Sequence, residues 1–314
     1  MKRVGILIFC VGLVAFGVLV IIRQAPRTDR GSKLFVVATT GIVADAVKHV
    51  AGDRAEVVAL MGPGVDPHLY HARESDVQRL ADADIIFYNG LHLEGKMGQV
   101  FERMQSQKVV CAVSDGIDRS LLRASEFQDA YDPHVWFDVN LWMHCVEQIR
   151  DCFIKHDPAH QQAYRHNADV YLQELSDLES YIRLRVAQLP EHKRVLITAH
   201  DAFSYFGRAY GFTIVSLQGI STDSEIGIGD VTRVVNYIIT HDIPALFAEA
   251  SLPKSNVAAV QQAVRAQGKE VGIGPELYSD TLGEPGTIQE TYVGMVRSVV
   301  DRIVDALQGK AHHE

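Results

Sequence analysis

The chain has 314 residues, of which 47% are hydrophobic and 22% are charged, and its formal net charge is −9 at pH 7. This composition is typical of a globular protein with enough residues for two domains, and it excludes a disordered or fibrous chain. The acidic balance argues against nucleic acid as a partner and is compatible with a protein that binds cations.

The first 30 residues predict export. A short basic start precedes an uncharged, mostly apolar run from Val4 to Ile22, and a polar tether follows this run. The pattern is typical of a signal peptide, or of an uncleaved anchor that holds the protein at the cytoplasmic membrane through residues 4–22. We therefore expect a periplasmic protein whose exported part is more acidic than the whole chain.

Strands and helices alternate in both halves of the chain, and the two halves form a weak internal repeat. Each unit has a β-branched apolar run, a polar break and a helical pattern. Strands that alternate with helices of this length predict βαβ units and a parallel sheet in each half. The paired segments are 34–60 with 194–217, 83–97 with 243–257, and 108–113 with 269–274.

A long helix is predicted between the halves. Residues 157–189 carry apolar side chains at spacings of three and four, and Pro190 closes the pattern. The predicted fold is therefore α/β, with two doubly wound parallel-sheet lobes joined by one long backbone helix. The expected parts are a signal or anchor with its tether at 1–30, an N-terminal lobe at 31–156, the linking helix at 157–190 and a C-terminal lobe at 191–314.

Three cysteines remain after the apolar N-terminal run, and none has CxxC spacing. Cys145 and Cys152 are seven residues apart in a helical pattern, which places them ~10 Å apart along the axis, too far for a disulfide. We predict that these two and Cys111 are buried or inert thiols.

Ligands of doubly wound sheets bind outside the carboxyl ends of the strands. His68 follows the second predicted strand, His200 follows the run VLITA, and Asp280 follows the strand that is predicted to end near Gly274. His134 lies in YDPHVWFDVNLW, which leads into the helix before the long helix. We expect the two lobes to turn these four side chains toward one point.

Three imidazoles and a carboxylate suit Zn²⁺ and are tolerable for Mn²⁺ or Fe²⁺. His68 and His134 both stand in Asp-Pro-His, where the proline restricts the backbone. Asp66 and Asp132 are close enough either to cap the turn or to accept a hydrogen bond from the imidazole N–H that faces away from the metal. The large aromatic side chains near the second motif are expected in the core; they are Trp136, Phe137 and Trp142.

The segments GPGVDPHLY, YNGLHLE, DPHVWFDV, ITAHDAFSYF and ELYSDTLG, in this order, resemble the ZnuA/TroA family of metal-binding solute-binding proteins of ABC importers, also called cluster A-I. The resemblance covers about residues 34–308. It implies a monomeric carrier, without enzyme activity, that binds a metal between its lobes and delivers it to a permease in the cytoplasmic membrane. The metal ligands that it implies are His68, His134, His200 and Asp280.

The resemblance also bears on the choice of metal. Family members that look manganese-selective usually carry glutamate where this chain has His200, which favours zinc here. Zinc-selective members often have a long loop rich in histidine and acidic residues before the second histidine, whereas the stretch at 115–131 is short and lacks histidine. We therefore expect zinc first, with manganese and iron as alternatives.

Two other functions use the same residues. A zinc-dependent hydrolase needs similar donors, but it keeps an open coordination position for water, and neither HExxH nor GxSxG occurs in the chain. A surface adhesin with a structural metal is compatible with an anchored protein. Turnover of ester, peptide or phosphate probes would indicate the hydrolase, and metal-dependent capture of a surface partner would indicate the adhesin.

Overall fold

The computed structural model describes residues 33–125 and 130–309. The predicted signal or anchor at residues 1–30 lies outside these ranges. Within the described ranges, no helix is both long enough and apolar enough to cross a membrane.

A four-stranded parallel sheet forms the N-terminal half. Its strands are β1 (Leu34–Ala38), β2 (Ala55–Ala59), β3 (Ile85–Tyr88) and β4 (Val109–Ala112). They pair in the order β2-β1-β3-β4, so the first strand lies inside the sheet. The strands are almost entirely apolar, as expected where helices cover both faces of a parallel sheet.

Four helices accompany this sheet, and polar caps fix where two of them begin. The helices are α1 (Gly41–Ala51), α2 (Glu74–Asp82), α3 (Gly98–Gln105) and α4 (Val139–His156). The Thr40 hydroxyl accepts a hydrogen bond from the Val43 N–H at the start of α1, and the Asp138 carboxylate accepts one from the Asn140 N–H at the start of α4. The second cap places the turn with His134 directly before α4.

The long helix is present as α5 (Gln161–Val186), whose 26 residues span ~39 Å. It is shorter at both ends than predicted: Pro158–His160 form a separate 3-10 turn before it, and its last helical residue is Val186. It packs against α1 and α4 and against the last helix, α9 (Tyr292–Leu307). Its buried residues keep the predicted spacing; they are Tyr164, Ala168, Tyr171, Leu175, Leu178, Ile182 and Val186.

The C-terminal half repeats the neighbour relations of the N-terminal sheet. Its strands are β5 (Val195–Thr198), β6 (Thr213–Ser216), β7 (Ala245–Glu249) and β8 (Gly272–Leu277). Strand β5 pairs in parallel with β6, β7 pairs in parallel with β8, and β5 packs beside β7. Strand β8 continues past its predicted end near Gly274. The remaining helices are α6 (Ser204–Tyr210), α7 (Ile228–His241) and α8 (Ser255–Ala266).

Three hydrophobic clusters hold these elements together, and the smallest of them packs the N-terminal sheet against α2 and α3 through Leu80 and Phe101. The largest joins the N-terminal sheet to α4, α5 and α9 and continues into the C-terminal half. Another fills the space between the C-terminal strands and α7 and α8. Trp136, Phe137 and Trp142 are buried in the largest cluster, which confirms their predicted core role. The halves therefore share a core along the long helix.

The prediction of three free thiols is wrong for two of the cysteines. Cys111 on β4 and Cys152 on α4 form a disulfide, whereas Cys145 is buried and free. Helix α4 packs against β4, and this contact brings together two residues that are 41 positions apart. The spacing along α4 correctly predicts that Cys145 and Cys152 do not form a disulfide with each other. It does not indicate that Cys152 pairs with a cysteine on another element.

Reduction of the disulfide should lower the free energy of unfolding by about 2 to 4 kcal/mol, because the bond closes a long loop in the unfolded chain. Urea unfolding with and without dithiothreitol measures the effect. The double variant Cys111→Ser/Cys152→Ser should no longer respond to the reductant, whereas Cys145→Ala should keep the response. Identical unfolding midpoints for the oxidised and reduced wild type would contradict a stabilising bond.

Candidate metal centre

Three histidines and one aspartate meet in a buried cluster. They are His68, His134, His200 and Asp280, each at most 5% exposed. One potential ligand atom from each residue lies within 4.8 Å of the others. From the Asp280 carboxylate, Nε2 of His200 is 3.1 Å away, Nε2 of His134 is 3.5 Å away and Nε2 of His68 is 4.0 Å away. All four residues selected from the sequence are thus brought together.

Strand ends position three of these side chains. His68 lies in the loop after β2, His200 lies two residues after β5, and Asp280 lies in the loop after β8. Parallel strands direct these loops toward the same edge of their sheets, as ligand sites in doubly wound folds require. His134 instead lies at the start of the 3-10 turn before α4.

Trp136 joins the turn with His134 to the segment that carries Asp280. Its indole N–H donates to the backbone oxygen of Ser279 at 2.9 Å, and its ring lies edge-on to the His134 imidazole. Its backbone oxygen accepts a hydrogen bond from the Tyr292 hydroxyl at 2.7 Å. The tryptophan therefore links two ligand-bearing segments from different halves of the chain.

The two Asp-Pro-His segments form the same turn. In each, the aspartate accepts a hydrogen bond from the histidine backbone N–H, at 2.9 Å from Asp66 to His68 and 3.0 Å from Asp132 to His134. Asp132 also lies 2.8 Å from Nδ1 of His134, the ring nitrogen that faces away from the cluster. Asp66 directs its second oxygen to the Thr222 hydroxyl at 2.7 Å. Asp132 thus orients its histidine, whereas Asp66 joins the ligand loop to the C-terminal half.

Burial and neighbouring charges set different protonation states for the cluster residues. Burial lowers the pKa of His68 to about 3, so its imidazole is neutral at pH 7. Burial alone would also lower the pKa of His200, but the carboxylates of Glu249 and Asp280 outweigh it and hold that pKa well above the usual value. Burial would raise the pKa of Asp280, but the three histidines, His200 foremost, hold it below the usual range. The neighbouring charges therefore favour the protonated form of His200 and the ionised form of Asp280.

Glu94 explains why YNGLHLE belongs to the site region although it contains no ligand. The Glu94 carboxylate accepts hydrogen bonds from the Thr39 hydroxyl and from the backbone N–H groups of Asn89 and Gly90. The Asn89 amide in turn donates to the backbone oxygen of Pro133, directly before His134. Burial raises the pKa of Glu94. The YNGLHLE motif therefore supports the turn that carries His134.

Glu249 is a further site residue that was not predicted. It ends β7, is 1% exposed, and has a carboxylate oxygen 2.6 Å from Nδ1 of His200. The sequence signal was available, because Glu249 follows the apolar run ALFA at the carboxyl end of a predicted strand. Glu249 occupies the same kind of strand-end position that indicates His200 and Asp280 in the sequence.

A two-part α/β fold with a long connecting helix and a buried cluster of three imidazoles and one carboxylate defines a metal-binding solute-binding protein of ABC importers. The chain belongs to the ZnuA family, whose model, described as "Zinc-uptake complex component A periplasmic", matches residues 36–306. This membership confirms the resemblance and does not favour the hydrolase or the adhesin.

Individual relatives agree with this assignment. The chain is 47% identical over 275 residues to the zinc-binding protein TroA of Treponema pallidum, covering 88% of this chain and 89% of that protein. It is 44% identical over 276 residues to the manganese-binding lipoprotein MntA of Bacillus subtilis, covering 88% and 90%. The solved structure of periplasmic TroA from Treponema pallidum matches with a TM-score of 0.86 at 46% identity, covering 88% of this chain and 99% of that one.

Proposed function

We propose that this protein captures a divalent transition metal in the periplasm and delivers it to an ABC permease in the cytoplasmic membrane. Zinc is the first candidate, and manganese and iron are the alternatives. The observation that supports this proposal is the buried cluster of three imidazole Nε2 atoms around one carboxylate. A relative that is named for zinc and another that is named for manganese support the first two of these metals.

The direct ligands in this proposal are His68, His134, His200 and Asp280. Four protein ligands with three nitrogen donors suit the tetrahedral preference of zinc better than the oxygen-rich octahedral preference of manganese. Four ligands also leave no open position for a reactive water, which supports a carrier rather than a catalyst. Asp132 would support its histidine from outside the ligand shell, and Asp66 would hold the turn of His68.

Transport requires release as well as capture. In the proposed division, residues 31–156 and 191–314 are lobes and residues 157–190 link them. Two hydrogen bonds join the loop of His68 to the C-terminal half. The Thr222 hydroxyl donates to Asp66, and the Gly64 N–H donates to the Thr281 hydroxyl at 3.0 Å. A permease that separates the lobes would break these bonds and open the site. The carrier would act as a monomer, exported by residues 1–30 and either released by cleavage or tethered through residues 4–22.

Purification from the native envelope without added metal tests the proposed cargo. We expect elemental analysis to find about one zinc ion per chain, because four buried ligands of this type form one tetrahedral site. Competition titration of Zn²⁺ against Mn²⁺ should give the tighter binding to zinc. Tighter binding of manganese would reject zinc as the first candidate, and a protein that binds neither metal nor iron would reject the carrier. Turnover of ester, peptide or phosphate probes by the loaded protein would favour a hydrolase.

A further inference from the structure

Glu249 contacts a single turn of the chain through both of its carboxylate oxygens. Oε1 accepts hydrogen bonds from the backbone N–H groups of Ala199 and His200 at 2.7 and 3.0 Å. Oε2 lies 2.6 Å from Nδ1 of His200. Strand β7 packs beside β5, so Glu249 at the end of β7 lies against the turn with His200 that follows β5.

A role in capping the turn accounts for only part of this arrangement. The two backbone N–H groups need an acceptor, and a neutral amide oxygen would satisfy them. Burial of a carboxylate is unfavourable unless it has strong partners. Its second oxygen lies against the imidazole nitrogen that points away from the cluster, while Nε2 of the same ring lies 3.1 Å from Asp280.

The carboxylate constrains the histidine because an ionised carboxylate only accepts hydrogen bonds. Nδ1 of His200 must therefore carry the proton, and the neutral ring then has its lone pair on Nε2, the atom that faces the proposed metal position. A carboxylate this close to Nδ1 also makes the imidazole a stronger donor at Nε2. Zinc depends on nitrogen donors more than manganese does.

We propose that Glu249 is a positioning residue that fixes the Nδ1–H tautomer of His200 and thereby favours zinc over manganese. The inference rests on the proposed function, since it concerns how one of the four ligands meets the metal. Asp132 stands in the corresponding relation to His134 within a single turn, whereas Glu249 acts from 49 positions further along the chain.

Glu249→Gln separates side-chain size from charge. The Gln amide oxygen would still accept from the two backbone N–H groups, so its NH₂ group would donate to Nδ1 of His200. The ring proton would then move to Nε2 and block the metal position. If the amide were rotated by 180°, its NH₂ group would instead face the backbone N–H groups of Ala199 and His200, and donors cannot hydrogen-bond to donors. We expect zinc affinity to fall about 10- to 100-fold, and the ratio of zinc to manganese affinity to fall with it.

Glu249→Asp is the informative second variant. It keeps the charge and acceptor character but shortens the side chain, so a positioning role predicts tighter zinc binding than in Glu249→Gln. A role in filling space or capping the turn predicts the opposite order, and that order would overturn the proposal. Glu276→Gln makes the same chemical change on the neighbouring strand β8, where Glu276 pairs with Lys254, and should leave both affinities unchanged.

A measurement on the wild type does not depend on whether a variant folds. In the zinc-loaded protein labelled with ¹⁵N-histidine, NMR should show a proton on Nδ1 of His200 and metal on Nε2. Metal on Nδ1 would overturn the proposal about Glu249. Failure of the wild type to bind zinc, manganese or iron would instead reject the proposed function, so the two failures are distinguishable.

Discussion

Asp280→Asn should lower the affinity for zinc by more than about a hundred-fold while the metal-free protein stays folded. Asp280 supplies the only negative charge among the four proposed ligands, and its carboxylate faces Nε2 of each histidine. Residues that support a metal ligand from outside typically contribute about 10- to 100-fold to affinity, so a direct charged ligand should contribute more. Asparagine keeps the volume of the side chain and removes the charge.

Competition titration with a chelator of known zinc affinity measures this loss. Asp242→Asn is the matched control, because it is the same substitution at a side chain that is 93% exposed and pairs only loosely with Lys269. Its zinc affinity should equal that of the wild type. Circular dichroism of the metal-free variants checks the fold. Retention of wild-type affinity by a folded Asp280→Asn protein would remove Asp280 from the ligand set.

The cluster could be predicted because its determinants are local. Apolar periodicity locates the strands, and parallel strands place their carboxyl ends at one edge of the sheet. His68, His200 and Asp280 each follow such a strand end, so their positions in the sequence predict that they lie close together. His134 was accessible through its Asp-Pro-His turn, whose hydrogen bonds join residues two positions apart. The chemistry of such a turn depends on residues adjacent in the sequence, so it can be predicted without the tertiary structure.

The features that were missed depend on which elements become neighbours. Glu249 meets His200 because β7 packs beside β5, and Cys111 meets Cys152 because α4 packs against β4. Periodicity shows that these elements exist, but it does not give the side chains that meet across them. Comparison of residues along a single helix therefore led to the wrong prediction for the cysteines.

Helix α9 connects the stability of the fold to the site through its first turn. The Tyr292 hydroxyl donates to the backbone oxygen of Trp136, and the Tyr292 N–H donates to the buried carboxylate of Asp45 on α1. Asp45 also accepts a hydrogen bond from the Tyr171 hydroxyl on α5. The first turn of α9 thus fixes the tryptophan that lies against His134. A displacement of this turn should affect both the core and the metal site.

Gly294→Ala should lower the free energy of unfolding by about 3 kcal/mol or more, as expected for severe overpacking. A Cβ atom at Gly294 would lie 1.8 Å from the backbone oxygen of Ile288, and a backbone atom cannot move aside as a flexible side chain can. Relief of this overlap requires a shift of the first turn of α9, which would disturb Tyr292 and with it Trp136. Zinc affinity should therefore fall together with stability.

Urea unfolding of the metal-free protein measures the stability term, and chelator competition measures the affinity. Gly229→Ala is the matched control, because Gly229 lies in the first turn of α7 with no atom within 4 Å of the added Cβ. Its stability should be unchanged or raised by up to about 1 kcal/mol, since alanine favours the helix. If both alanine variants unfold at the wild-type urea concentration, the close approach of Gly294 to Ile288 does not fix α9, and the first turn of that helix has room to move without loss of the core.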